Sequence, residues 1–327
     1  MLQLRSIRVA AGTLLFALGC GSSTPEEPMP TVALSARVAH AMVYDEARHV
    51  TLLFGGIGTE GSSASSDRGS LWTWDGHTWT KLSATGPSAR HDASLSYDAN
   101  RQRVVLHGGR SGLFPNETML TDTWEWNGTA WTRVADTGPS ARVHQRTTYD
   151  RARNRTVLYG GFSIASQQEL RDIWEWNGTA WSQSPVSVAT GTAIGVAYDE
   201  KGATTYLLTR QSSTNYFMDA WNGTSLTRKS SSVPECVFQP VSVSASQGNL
   251  LSTAYCDSAA AMQTWRFDGT TWTRLTGAQP AGPRINFTMS YDRDRDRVVL
   301  FGGESLQGVS FADTWEWDGT TWRKVAG

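Results

Sequence analysis

"TDTWEWNGTAWTRVADTGPSAR" runs from Thr121 to Arg142, and "LRDIWEWNGTAWSQSP", from Leu170 to Pro185, says nearly the same thing again. Self-similarity at a fixed period decides the architecture before any local element does. Aligned on Trp-x-Trp, the pairs Trp72/Trp74, Trp124/Trp126, Trp174/Trp176 and Trp315/Trp317 are plain copies, and Trp265/Phe267 and Asp219/Trp221 are degenerate ones. Asn-Gly or Asp-Gly follows each, and five residues after the second aromatic stands a third, at Trp79, Trp131, Trp181, Trp272 and Trp322, with Leu226 in its place once. These are six units averaging about 48 residues from Arg37 to Val325.

Each unit reads as four short strands. Tyr-Asp (Tyr44, Tyr97, Tyr149, Tyr291) closes an alternating run, and a second run ends in Gly-Gly, its first Gly eleven residues after the Tyr. That constant spacing implies a fixed turn. "DTWEW" is the third strand, its period of two placing both tryptophans on one face, and Asn-Gly is a strong hairpin signal into the fourth strand, "WTRV". One such sheet cannot bury its apolar face alone, but sheets set radially around an axis cover one another. Burial of a large aromatic stabilises by about 2–3 kcal/mol, so the tryptophans are expected as inter-blade packing. The reading is an all-β, six-bladed propeller of four-stranded antiparallel blades over residues 36–327, with blades near 37–83, 88–135, 140–184, 191–229, 236–275 and 283–326.

Gly-Gly ending the second strand, an aromatic in the third and Trp in the fourth, at a period near 50, resembles the Kelch repeat. The resemblance is specific in blades 1, 2, 3 and 6. It is weak in blades 4 and 5, where "YLLTR" and "LLSTAYC" lack Gly-Gly. The aromatic-to-Trp spacing is shorter than in animal Kelch proteins and the extra Trp is not part of their usual pattern, so the chain looks like a bacterial Kelch-like propeller.

The termini and composition bound the setting. Arg5 and Arg8 precede the apolar run Val9 to Leu18, which ends at Gly19-Cys20. Residues 1–19 therefore read as a signal peptide, too short in its apolar part for a bilayer of ~30 Å. "ALGC" looks like the lipobox of bacterial lipoproteins, which implies a lipidated Cys20, with ordinary cleavage near Gly19 as the alternative. Residues 20–35 are then a Pro-rich flexible tether. The protein is expected to be exported and lipid-anchored to a bacterial membrane, facing the periplasm or the cell surface. Cys236 and Cys256 flank two strand-like runs, and in an oxidising compartment they are expected to form a disulfide, two free thiols being the alternative. A net charge of -1 without any Lys/Arg run argues against a nucleic-acid surface.

In a propeller the first-to-second and third-to-fourth turns share one face, and here they are short and stereotyped. Second-to-third loops and blade linkers share the other, and Ile57 to Ser70, Arg110 to Thr121, Phe162 to Arg171, Arg210 to Met218 and Glu304 to Ala312 vary in length and composition. Variable loops on a rigid scaffold carry specificity. Seven residues before the Tyr stands an arginine in four blades, Arg37, Arg90, Arg142 and Arg284, with Gly191 in blade 4. These four either form an anion-attracting ring at the channel mouth, suited to acidic sugars or Asp/Glu side chains, or hydrogen-bond carbonyls of the adjoining blade as part of the repeat. Asp92, His91 and His144 are the acid/base candidates near that mouth, and His91 and His144 join the possible ligand-binding residues.

No G-x-S-x-G, HExxH, CxxC or P-loop pattern occurs. Asp292, Asp294 and Asp296 fail as a calcium loop because Arg297 and Gly303 occupy the Gly and Glu positions. No catalytic residue, cofactor or metal is therefore assigned. The expected function is a monomeric, non-enzymatic, envelope-anchored propeller presenting its loop-rich face to a protein or glycan, touching membrane only through its lipid. The alternative is a sugar-active enzyme of the N-acetylneuraminate epimerase or mutarotase type, an exported six-bladed Kelch-like group that the chain resembles in overall architecture alone.

Overall fold

A computed structural model describes residues 33–58, 69–113, 115–212, 215–230, 241–244, 249–256 and 261–327, so the signal peptide, Cys20, most of the tether and Cys236 lie outside the described residues. The described chain is all β and folds into six four-stranded antiparallel sheets, each a simple meander. Blade 1 comprises Ala41–Asp45, Val50–Phe54, Leu71–Trp74 and Trp79–Leu82, and blade 2 comprises Ser94–Asp98, Arg103–His107, Thr123–Trp126 and Trp131–Ala135. Blade 3 is Arg146–Asp150, Arg155–Ser163, Gln168–Trp176 and Trp181–Ser187; blade 4 is Thr192–Asp199, Thr204–Arg210, Tyr216–Trp221 and Leu226–Ser230. Val241–Ser244, Asn249–Cys256, Ala261–Phe267 and Trp272–Leu275 make blade 5, and Thr288–Asp292, Arg297–Phe301, Thr314–Trp317 and Trp322–Ala326 make blade 6. The first strands of successive blades touch around the axis, and those of blades 6 and 1 close the ring. Every blade is one contiguous stretch, so closure uses side chains and linkers in place of a shared strand.

The tryptophans weld the blades. Trp72, Trp74, Trp176, Trp221 and Trp322 are almost wholly buried. In blades 1, 3 and 4 the second Trp of the pair, or its equivalent, donates its indole N–H to a Glu of the preceding blade's third strand: Trp176 to Glu125 at 3.0 Å, Trp221 to Glu175 at 2.8 Å and, across the closure, Trp74 to Glu316 at 2.9 Å. The third Trp donates to a threonine of the same neighbour, as Trp181 does to Thr123, Trp322 to Thr264 and Trp79 to Thr314, each at 2.9 Å. A buried indole needs such a partner. The repeat supplies it from the preceding blade and so fixes the angle between sheets.

The stereotyped face has its own device. In "YDxxR" the aspartate caps the turn and holds an arginine three residues on, Arg101 Nε lying 2.8 Å from Asp98 Oδ2, and Arg101 also forks onto Glu125. The guanidinium lies against the Asn-Gly turn of the following blade. A Cβ on Gly178, whose φ is +98°, would stand 2.6 Å from Arg101 Nε. Glycine is required twice there, for its backbone and for the arginine above it.

Candidate functional site

Arg37, Arg90, Arg142 and Arg284 correct one expectation. Each is 1% exposed, and each turns into its own blade. Arg90 donates from Nη1 to Gly108 O at 3.0 Å, from Nη1 and Nη2 to the Asp122 carboxylate at 2.6 and 3.0 Å, and from Nε to Ser88 O at 3.0 Å. Arg142 repeats this on Gly160, Asp172 and Ser140, and Arg284 on Gly302 and Asp313. Arg37 donates to Gly55 O and to Ser35. The same aspartates accept the indole N–H of Trp124, Trp174 and Trp315. Burial pushes the Asp122, Asp172 and Asp313 carboxyls up, but the bonds from arginine and tryptophan outweigh it and hold all three below the usual range. The arginines latch the linker, the Gly-Gly corner and the third strand of one blade together. They do not form the anion ring.

His91 is a second correction. It is 1% exposed, and its Nε2 faces Glu117 at 3.3 Å. Asp92 is held by Arg110, whose Nε lies 2.8 Å from Asp92 Oδ2, and Arg110 also holds Glu117. Of the three acid/base candidates, Asp92 and His144 line a cavity on the variable face and His91 does not. Asp92 and His144 share a backbone position two residues after the latch arginine, where the chain is left-handed: Ala39, Asp92, His144 and Asn286 have φ between +54° and +58°. A left-handed conformation at non-glycine residues is a local cost. Here it bends each linker inward, and successive linkers are stitched by bonds such as Asp92 N to Ala39 O at 2.9 Å.

Two cavities open on this variable face. One, of about 220 Å³, lies among Ala39, Asp92, Arg110, His144 and Arg146. The other, of about 460 Å³, shares His144, Arg146, Asn286 and Phe287 with it and continues past Glu169, Arg210 and Tyr255 toward Leu306. The larger cavity borders blades 4 and 5, the two that lack the Gly-Gly corner. Blade 4 also lacks the latch arginine, its Thr192 pairing straight to Arg210.

Arg146 is the residue that sequence reasoning missed. It lines both cavities and is half-buried. Its one hydrogen bond runs from Nε to Ile194 O at 3.4 Å, and no carboxylate among the described residues comes within ion-pair distance. Burial lowers its affinity for its proton, with Asp92 opposing. The His144 imidazole is likewise pushed down by desolvation, Asp92 opposing and Arg146 and Arg110 reinforcing. The available signal was a break in the repeat. Four residues before the strand-ending aspartate the other blades have Ala41, Ser94, Gly195 and Thr288.

The opposite mouth is crossed by charge. Arg151 pairs with Glu46 and, at 2.8 Å from its Nε, with Glu200, which also pairs with Arg293. These residues follow the Tyr-Asp of blades 1, 3, 4 and 6, and a cavity of about 190 Å³ lined by the inner-strand tyrosines lies beneath them. Cys256 is buried and disulfide-bonded; Cys236, the expected partner, is outside the described residues. Among the described residues no three His, Cys, Asp or Glu side chains converge to hold a metal ion.

No family model matches the chain, and no curated protein matches it by sequence. Among solved structures, that of YjhT aligns with a TM-score of 0.64 over 92% of this chain and 99% of its own, at 13% identity. At that identity the likeness is one of fold. It supports the six-bladed β-propeller architecture.

Proposed function

We propose that this chain is a non-enzymatic binding propeller that presents its loop-rich face to a protein or glycan, held at the cell envelope through Cys20. The observation that carries the reading is where apolar surface is left uncovered. Among the described residues, the exposed large hydrophobics Leu113, Ile164, Ile285, Leu306 and Val309 all belong to second-to-third loops or linkers of the variable face, and Val325 alone lies on an outer strand. Apolar residues gathered on one face are the mark of an interaction surface. The sugar-active alternative needs an acid and a base within hydrogen-bond reach of one substrate atom. His91 is turned away and Asp92 is bound to Arg110, which favours binding over that alternative.

A photo-crosslinking residue placed at Leu113 or Val309, with Val325 as control, tests the reading in the producing cell. Adducts from the loop positions and none from Val325 are expected. Equal labelling, or none at the loop positions, rejects the loop face as the working surface. Replacement of Cys20 by Ser should release the protein from the membrane fraction, and retention there would reject the anchor.

A further inference from the structure

Resting on that loop-face reading, we propose that Arg146 is the anchor for a single carboxylate of a protein partner, an Asp or Glu side chain flanked by aliphatic residues. The first ground is the break in the repeat. Every latch arginine has a carbonyl or carboxylate built around it, whereas Arg146 has only the 3.4 Å contact to Ile194 O while lining two cavities. A half-buried guanidinium without a counter-charge is a standing cost that a bound anion removes, and its planar fork matches a carboxylate.

The charge around the cavities limits the valence of that anion. Arg110 lies between Asp92 and Glu117, and Arg284 is paired with Asp313. With Arg146, Arg210 and Glu169 the four arginines are matched by four carboxylates, so the mouth carries no net surplus and the pull on an anion is local to Arg146. A monoanion meets one guanidinium, and a doubly charged phosphate or sulfate would bring a second negative charge up to Glu169 and Asp92.

The rim identifies the bearer. Sugars are usually held by stacking on exposed aromatic rings, but among the described residues the exposed large hydrophobics are leucine, isoleucine and valine, while the most buried tryptophans lie within and between the blades. Ile285 and Leu306 beside one half-buried cation fit a peptide segment with apolar residues on either side of an acidic one. The cavity of about 460 Å³ leaves room for that side chain to reach Arg146 past His144.

The test pans a phage library of random dodecapeptides on the purified protein, with a glycan array including uronic and sialylated sugars run in parallel. Enriched peptides should carry Asp or Glu beside aliphatic residues. A synthetic copy should lose roughly tenfold or more in affinity, about 1.4 kcal/mol, against Arg146→Gln. The same loss should follow amidation of the peptide's acid, with little further loss when both changes are combined. Arg146→Lys, which keeps the charge and loses the fork, should fall between, and urea midpoints equal to wild type would show that both variants fold. Enriched peptides without an acid, or indifference to Arg146→Gln, would overturn the anchor and leave the loop face standing. Binding of acidic glycans alone would overturn the peptide partner. Failure of both libraries to bind would overturn this proposal, and a crosslinking experiment that also failed would reject the loop-face reading beneath it.

Discussion

Arg90 and Arg146 are the same residue type on adjoining blades, and their replacement by alanine should have opposite consequences. Arg90 is 1% exposed and donates to Gly108 O, Ser88 O, Ser88 Oγ and both oxygens of Asp122. Its removal leaves a buried carboxylate with only the Trp124 indole and strips two backbone carbonyls of their donor, the situation in which breaking a buried pair costs about 3–5 kcal/mol. In urea, with a slope of about 3 kcal/mol/M, the unfolding midpoint should fall by roughly 1–1.7 M. Arg142→Ala should behave alike, and Arg90→Lys, keeping charge without the fork, should lie between. Arg146→Ala removes a half-buried cation that has no ion pair, so stability should stay within about 0.5 kcal/mol of wild type or rise. Tryptophan fluorescence reports all four, since the tryptophans lie between blades. Loss of less than about 1 kcal/mol at Arg90 and Arg142, or an equal loss at Arg146, would refute the division between latch and site.

Acid should destabilise the propeller well above the carboxylate range. Burial pushes His40 and His107 down to about 3 from 6.5; each holds its neutral form when folded and takes a proton when unfolded. Their contribution is intact above pH 6.5 and is lost as pH falls toward 3, costing about 2 kcal/mol per imidazole at pH 5. Urea titrations at pH 7.5 and 5.0 should differ by about 4 kcal/mol, and identical midpoints would contradict the burial. Gly178→Ala should melt below Gly319→Ala: both need a left-handed backbone, worth roughly 1–2 kcal/mol, but a Cβ at Gly178 meets Arg101 whereas at Gly319 nothing lies within 4 Å. Equal melting temperatures would dismiss the arginine as a packing partner. Glu200→Gln leaves Arg151 and Arg293 facing each other across the stereotyped mouth. Burial and Arg293 already push Arg151 down to about 10, so a loss of about 1 kcal/mol is expected at low salt, shrinking as salt is added; a salt-independent loss would point to packing.

The architecture was legible because its causes repeat. Trp-x-Trp, the eleven-residue step from Tyr to Gly-Gly, and Asn-Gly or Asp-Gly each state a local requirement, and four to six statements of the same requirement leave few folds open. The partners of those residues were not legible. Nothing in "DTWEW" says that Glu125 accepts from Trp176 of the next blade, since that bond depends on the angle between sheets, which no single unit encodes. The role of Asp122 was hidden for a similar reason: its arginine stands 32 residues earlier, across two strands of the same blade.

The candidate site was hidden by the same regularity that revealed the fold. An arginine recurring at Arg37, Arg90, Arg142 and Arg284 invites a functional ring. Yet a residue present in four blades meets the same surroundings four times, and those surroundings are the blade itself. A binding site is used once, and its residues should appear where one blade departs from the others. Arg146 departs from alanine, serine, glycine and threonine at its position, His144 and Asp92 differ at one left-handed linker position, and the larger cavity borders the two blades that lost their Gly-Gly corners. Those losses have a physical consequence. A corner closed by Gly-Gly and latched by arginine brings the linker tight against the second strand, as Arg37 and Val38 pair with Gly58 and Ile57, and fills the mouth with backbone. Blade 4 omits both the corner and the latch, its strands run on unlatched, and the space left beside blade 3 is where Arg146 stands without a counter-charge.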